Sequence, residues 1–296
     1  EDTPEEFVSN LVEVFKEVKR VLRDDGTVWL NLGDSYSSGG RTTTTNQSLR
    51  GDKDYGVTRP KPSKGIKPKD LIGIPWRVAF ALQQDGWYLR QDIIWHKPNP
   101  MPESVKDRCT KAHEYIFLLS KSPKYYFDNE AIKEDAKFPD DPNTPKSIKA
   151  VDGVYSKNLQ KIGANPKRNK RSVWTVTTKP FKGAHFATFP MDLIEPCVLA
   201  GCPEKICVGC NTPYVRQVES KRFKRNELPK DDPRYRPNTY EGSYKDINGK
   251  ADAVYTETKD LGLQKQCDCK TNETKSGTVL DPFGGSGTTG IVASNH

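Results

Sequence analysis

The sequence predicts an α/β fold on a mostly parallel, doubly wound sheet, with a ligand site at the carboxyl ends of its strands. Two helix-to-strand units lie in the first hundred residues, and the chain closes on a strand, a glycine-rich turn and a helix. Its 296 residues suit one large domain or two small ones, enough to bury a real core.

Thr3 is a candidate N-cap, with Pro4 at the first helical position and Glu6 three residues on, a capping box. Behind it Phe7, Leu11, Val14, Phe15, Val18, Val21 and Leu22 recur at helical spacing, and Lys19, Arg20 and Arg23 complement the negative end of the helix dipole. Asp24-Asp25-Gly26 makes a turn, and Thr27–Leu32 an apolar strand that ends at Gly33-Asp34. Residues 35–67, rich in Ser, Thr, Gly, Pro and Lys without apolar period, are expected to form a long mobile loop. A helix over Ile74–Gln84 ends near Asp85-Gly86 and feeds a strand, Trp87–Trp95. Strands are expected at Glu114–Leu119 and Tyr125–Phe127, a helix over Pro190–Leu199, and a polar insert from Cys202 to Cys269. A last strand, Thr278–Leu280, runs into the glycine-rich turn and the final helix. No internal repeat is visible.

Apolar residues make up 34% of the chain and glycine 22 positions, below the ~45–50% of an ordinary globular protein, so part of the chain is expected in solvated loops. No apolar run approaches the ~20 residues of a membrane span, and Glu1-Asp2-Thr3-Pro4 lacks the look of a signal peptide, which argues against membrane and secretory classes. Seven cysteines, an odd number, do not make a disulfide scaffold, and a reducing cytoplasm is expected. The net charge of +8 is concentrated between residues 149 and 182, where nine Lys and Arg face only Asp152. With Tyr155 and Trp174 nearby, this segment fits a loop that tracks phosphates through counterion release, or a merely solvated basic loop. Lys167, Arg168, Lys170 and Arg171 are its candidate nucleic-acid contacts.

Asp281-Pro282-Phe283-Gly284-Gly285-Ser286-Gly287-Thr288 stands between the last strand and the last helix. Glycines there let the backbone approach a ligand, and the helix amides point at it. Gly285, Gly287 and Gly290 also satisfy G-x-G-x-x-G, which keeps a nicotinamide site open, although Asp-Pro-Phe argues against it. Cys207-x2-Cys210 and Cys267-x-Cys269 offer four thiolates for a structural zinc site, with Cys202 as a substitute ligand, against unligated loop cysteines. Cys109 and Cys197 are read as carrying no chemistry.

The glycine turn closely resembles the S-adenosylmethionine turn of the beta-group amino DNA methyltransferases, the N4-cytosine and N6-adenine family. Three further blocks share the resemblance: His185–Ile194, Asp92–Pro102 with Arg108–Ile116, and Asn31–Tyr36. It implies a Rossmann-like methyltransferase fold with S-adenosylmethionine held by Phe189, Pro190, Asp281, Pro282, Phe283, Gly285, Ser286, Gly287 and Thr288. It also implies a base pocket in which Trp95 stacks on the base, Lys97 contacts phosphate and Asn99 hydrogen-bonds the base edge. Asp34 is placed there either to accept a hydrogen bond near base or cofactor, or to cap the next turn. By the same resemblance the base-pocket half spans 1–130, a basic target-recognition segment 131–184, the cofactor half 185–201 and 276–296, and the zinc-ribbon-like insert 202–270. The implied activity is site-specific methylation of double-stranded DNA of the restriction-modification kind, cytosine N4 favoured over adenine N6.

One departure stands against this. The family's catalytic tetrapeptide, Asp/Asn/Ser-Pro-Pro-aromatic, occurs nowhere in the chain, and Asn211-Thr-Pro-Tyr214 lacks its second proline. The chain therefore reads as trimmed at both ends, with a catalytically inactive nucleic-acid-binding fragment as the alternative.

Overall fold

The computed structural model describes residues 3–37, 66–135, 167–179, 188–224, 229–231 and 254–296. The chain forms two compact units, one of Glu1–Phe127, Arg171–Cys202 and Thr278–His296, the other of Asp128–Lys170 and Pro203–Gly277.

In the first unit α1, Pro4–Val21, starts as its sequence dictates: the Thr3 hydroxyl accepts the Glu6 amide at 3.2 Å, and Pro4 occupies the first turn. Then follow β1 (Thr27–Leu32), α2 (Ile74–Gln84), β2 (Tyr88–His96) and β3 (His113–Ser120). After β4 (Glu134–Asp135) and β5 (Lys167–Arg168) of the second unit, the first resumes with β6 (Val173–Thr175) and α3 (Met191–Gly201).

Its four-stranded sheet has the order β1-β3-β2-β6. β3 pairs antiparallel with both β1 and β2, and only β2 and β6 pair in parallel. The expectation of a mostly parallel sheet is thus corrected for the described residues. The cause is topological: β1 and β2, joined through α2, run parallel to each other, but β3 returns from β2 without a crossover helix and lies between them. A strand that returns through a loop pairs antiparallel.

The layering on both faces does hold. Phe117 and Leu119 of β3, with Leu30 of β1, pack against Phe15 of α1 and Val78, Ala79 and Leu82 of α2. Ile116 points the other way, into a cluster with Ile93, Trp95, Trp174 and, from α3, Leu193 and Cys197. Burial of both faces is what the continuous apolar run of β3 encodes.

Two expected strands are absent. Tyr125–Phe127 joins no ladder: the Tyr126 amide donates to the Asp25 carbonyl, and Phe127 stacks on Trp29 with ring centroids 6.2 Å apart. Thr278–Leu280 finds no neighbouring strand among the described residues, and Leu280 is exposed. The last helix, α4 (Thr288–Asn295), packs on α3, where His296 lies 3.1 Å from Glu195.

The second unit contains the β4–β5 pair and a ribbon of β7 (Ile206–Cys207), β8 (Val215–Lys224), β9 (Val254–Gln264) and β10 (Thr274–Lys275). β8 and β9 form a long antiparallel hairpin with a bulge in β9, where Leu261 and Gly262 oppose Gln217 and Gly262 takes the left-handed conformation at φ +74°. β7 pairs antiparallel with β10. No helix among the described residues is long and apolar enough to cross a membrane.

Gly201 closes α3 directly over β1. A Cβ there would lie 2.6 Å from both Thr27 Oγ1 and Trp29 Nε1, whereas one on Gly290 of α4 would meet nothing within 4 Å. Gly201→Ala is therefore expected to lower stability by about 1–3 kcal/mol. Gly290→Ala is expected to be neutral or stabilising by up to about 1 kcal/mol. Urea unfolding followed by circular dichroism checks the opposite signs.

Candidate functional site

The ends of β1 and β2 and the beginning of β3 share one edge of the sheet, a consequence of the split β1-α2-β2 unit. Asp34, two residues past β1, uses Oδ1 to accept the amides of Ser35 (2.9 Å), Gly73 (3.0 Å) and Ile74 (3.2 Å). Gly73, the N-cap of α2, has φ +77° and no side chain to cap with, so Asp34 supplies the cap from across the loop. Of the two roles foreseen for Asp34, this geometry is the capping one. Its carbonyl accepts Lys111 Nζ at 2.6 Å.

Residues 35–37 pair with 69–72 through the Tyr36–Leu71 bridge and three backbone hydrogen bonds, so the expected loop is tied at its base; residues 38–65 lie outside the described residues. The loop after β2 is laced to the same base. The Arg108 guanidinium lies 3.9 Å from the Tyr36 ring centroid and donates to Glu103 at 2.7 Å, and Lys69 pairs with Asp107 at 2.7 Å. The Arg108 hydrogen bond and the Lys111 amide hold the Glu103 carboxyl below its ordinary range. Burial pushes the Lys111 amine down, against the pull of Asp34 and Glu114.

The predicted base-pocket residues take unexpected positions. Trp95 is 2% exposed, donates its indole N–H to the Val176 carbonyl at 2.8 Å and belongs to the core facing α3. As a stacking platform it is corrected: the indole is buried, and Lys97 Nζ already lies 4.2 Å from its centroid. Lys97 also donates to Glu114, so its charge is matched inside the protein. Asn99 donates to the Thr178 carbonyl (3.2 Å) and accepts the Thr178 amide (3.0 Å), adding a side-chain rung beyond the β2–β6 ladder. Asn99 is exposed and keeps a second amide hydrogen and lone pair beyond these bonds. Sequence reasoning missed Tyr36, Glu103, Arg108, Lys111 and Glu114; the Arg and Lys within 108–111 were their only local sign.

At the glycine turn Asp281 Oδ1 accepts the Phe283 amide at 3.0 Å, the Gly287 amide donates to the Gly284 carbonyl at 2.8 Å, and Ser286 and Thr288 hydroxyls lie 2.9 Å apart. Gly285 and Gly287 have φ +51° and +75°, as a left-handed turn into α4 requires. A Cβ on Gly284 or Gly287 would meet no described atom within 4 Å, so this backbone faces open space. Pro282 lies inside the turn, and Phe283, 56% exposed, leans on Phe15 at 6.4 Å between centroids. Phe189 packs on the Trp95 cluster, and Pro190 is the N-cap of α3.

The candidate nucleic-acid residues divide between the units: Lys167, Arg168 and Lys170 in the second, Arg171 in the first. In the β4–β5 pair Asp135 faces Lys167 and Glu134 faces Arg168, whose Nε donates to Glu134 at 2.9 Å. The Arg171 side chain is exposed, and its carbonyl accepts the Trp174 indole at 2.7 Å. Residues 136–166 and 180–187, most of the basic segment, and His185 to Ala187 of the cofactor half, lie outside the described residues.

The sulfurs of Cys207, Cys210, Cys267 and Cys269 all lie within 4.8 Å of one another. The Thr212 hydroxyl and amide draw Cys210 down to about 6, while sharing hydrogen bonds with Cys210 and burial push Cys269 up to about 12. Cys202 belongs to the first unit and stands outside this quartet.

Comparison with known proteins fixes the family. Residues 1–208 match a family model described as DNA methylase, of the N6/N4 type, and the chain belongs to that family. Its relatives include the Type II methyltransferase M.Cfr9I of Citrobacter freundii, 51% identical over 200 residues that cover 68% of this chain and 58% of that protein. M.SmaI of Serratia marcescens is 50% identical over 204 residues, covering 68% and 60%. The chain thus spans under two thirds of the length of these relatives. Among solved structures, the PvuII DNA methyltransferase (cytosine-N4-specific) aligns with a TM-score of 0.42 at 15% identity, covering 68% of this chain and 57% of that one.

The capping role of Asp34 is open to test. Asp34→Ala is expected to cost about 1–2 kcal/mol, and Asp34→Asn, which keeps an acceptor oxygen, less than half as much. Thermal unfolding of the two variants measures the difference; equal losses would assign the carboxylate another role.

Proposed function

We propose that the protein carrying this chain transfers a methyl group from S-adenosylmethionine to an exocyclic base amine in a specific double-stranded DNA sequence, cytosine N4 ahead of adenine N6. The observation that carries the reading is the Asp281–Thr288 turn, with its left-handed glycines and bare backbone opening α4, in a chain of the DNA methylase family. The resemblance of the Asp92–Pro102 and Arg108–Ile116 strings to base-pocket strings supports the choice of cytosine.

The residues present fit the cofactor. Two glycines without Cβ atoms let a ligand lie against the turn, the uncapped amides of α4 suit an anionic group, and the exposed Phe283 ring offers an apolar surface. When bound, the cofactor supplies an electrophilic methyl on a sulfonium. An exocyclic amine is a weak nucleophile because its lone pair is delocalised into the ring, so positioning and electrostatics dominate the catalysis. The nitrogen gains the methyl and releases a proton, and the base must first leave the duplex, at a cost of a few kcal/mol. The contribution of this chain is the turn and the Asp34–Lys111–Glu103–Arg108 edge, which keeps the loops after β1 and β2 in fixed relation. The catalytic tetrapeptide expected of the family is not among these 296 residues.

Two readings of the rim remain distinct here. A methyltransferase uses the turn; a nucleic-acid-binding remnant has the turn idle. The test incubates the intact protein with DNA and methyl-labelled S-adenosylmethionine, then digests the DNA to nucleosides. N4-methylcytosine is the expected product. N6-methyladenine would overturn the choice of base, and DNA binding without cofactor binding would favour the remnant. Gly287→Val, which is strained at φ +75°, is expected to weaken cofactor binding at least about tenfold, some 1.4 kcal/mol. Calorimetric titration, alongside a melting curve, separates lost binding from lost folding.

A further inference from the structure

We propose that Cys207, Cys210, Cys267 and Cys269 bind one Zn2+ tetrahedrally, and that this ion staples the root of the β8–β9 hairpin. The site is independent of the methyl-transfer reading, since its four ligands all lie in the second unit.

The argument begins with where the cysteines fall. Cys207 ends β7 and Cys210 follows three residues on, just before β8 begins at Val215; Cys267 and Cys269 come just after β9 ends at Gln264. Both ends of a long hairpin therefore deliver two sulfurs each to one point. Four sulfurs around zinc at about 2.3 Å stand about 3.8 Å from one another, and here every pair is within 4.8 Å. Disulfides would need sulfurs about 2 Å apart, and all seven cysteines are free.

The surroundings are built as a metal knuckle rather than as a chance cluster. The Asn211 amide donates to the Cys207 carbonyl at 2.9 Å, with Asn211 left-handed at φ +59°, which curls the Cys207–Cys210 loop around its sulfurs. The Cys207 amide donates to the Thr212 carbonyl at 3.0 Å and the Val208 amide to the Glu273 carbonyl at 3.2 Å, so both cysteine loops are fixed by backbone pairing. Lys265 Nζ donates to the carbonyls of Cys269 and, at 2.7 Å, Thr271; it orders the second loop and brings a positive charge beside a site that four thiolates around Zn2+ would leave at −2. At Gly209 a Cβ would come within 3.3 Å of Thr271 Cγ2 and 3.4 Å of Cys269 Sγ, so a side chain there would crowd the second loop. Four protein ligands close the coordination sphere, which makes the ion structural; no position is left for water or substrate.

The mechanical consequence is specific. The hairpin has no core cluster of its own among the described residues, and the register of its two long strands is anchored at the end where the cysteines sit. Fixing that end removes the freedom of the two chain segments to part, as loop closure by a metal does.

The experiment measures metal in the intact protein, purified under reducing conditions without added zinc, by inductively coupled plasma mass spectrometry. One zinc per chain is expected, falling to near zero in Cys210→Ser and Cys269→Ser and unchanged in Cys109→Ser and Cys202→Ser. Replacement by Co2+ in the unsubstituted protein is expected to give the intense visible bands and sulfur charge transfer of a tetrahedral thiolate site, a readout that needs no variant. Removal of the metal by a chelator is expected to open residues 203–277 to protease while S-adenosylmethionine binding persists. A metal-free protein whose four thiols react with a thiol reagent while the hairpin stays protease-resistant would overturn the proposal. So would an unreduced mass two or four hydrogens short, the mark of disulfides.

Discussion

Most of the first unit depends on a single constraint, the insertion of β3 between two strands that are parallel to each other. Because β3 is buried on both faces, its alternating side chains must satisfy two cores at once, with Phe117 and Leu119 facing α1 and α2 and Ile116 facing Trp95, Trp174 and α3. Each such side chain contributes about 1.5–3 kcal/mol by burial alone, so slippage by one residue would exchange the two cores and is heavily penalised. The register that results sets Trp95 opposite Glu114 and Leu32 opposite Tyr115. Fixing these pairs lays the loops after β1 and β2 beside the start of β3, which is how Asp34, Lys97, Lys111 and Glu114 meet although up to 80 residues separate them. The chemistry at this edge is therefore a product of packing elsewhere.

The same edge shows what becomes of charge in a folded chain. Lys97 is matched by Glu114, Arg108 by Glu103 and Arg168, in the second unit, by Glu134. These pairs are only partly exposed, where solvent screening is weaker than at a free surface, and each holds a loop or strand in place more than it adds to stability. These three cations are thus internal connectors. A cation already engaged this way meets a phosphate only by giving up a partner, which makes residue counts a poor guide to where nucleic acid would bind.

What was legible in the sequence was local. The Thr3 cap, the boundaries of β1 and α2 and the glycine turn all rest on residues within a few positions of one another, and these elements stand where their spacing put them. What failed required knowledge of neighbours. Tyr125–Phe127 has the apolar look of a strand, but its Tyr126 amide is taken by Asp25, a hundred residues back. Thr278–Leu280 has the look of a strand, with none beside it among the described residues. Trp95 and Asn99 take ligand-facing roles only through the family resemblance of their string; in the structure the indole lies in the core and the Asn99 amide bonds Thr178, a partner 79 residues away. The antiparallel course of β3 was legible and overlooked. Residues 97–112 open with Pro98, Asn99, Pro100 and Pro102 and have no helical period, so no crossover helix is available to make the pairing parallel.

The cysteines show the reverse case, where a spacing that looked wrong is made right by geometry. Two residues between paired ligands is the usual arrangement, because it lets the loop curl and leaves amides directed at the sulfurs. Cys267 and Cys269 have one residue between them, and the Cys269 amide still reaches the Cys267 sulfur. This half gains further shape from outside: Lys265 gathers the carbonyls of Cys269 and Thr271, and the first loop lies close where position 209 carries no side chain. The regular half is encoded in its own spacing, while the irregular half also draws on a lysine and a glycine that no motif would single out. The two halves lie beside each other where β7 pairs with β10 and β8 with β9, so the quartet depends on both pairings.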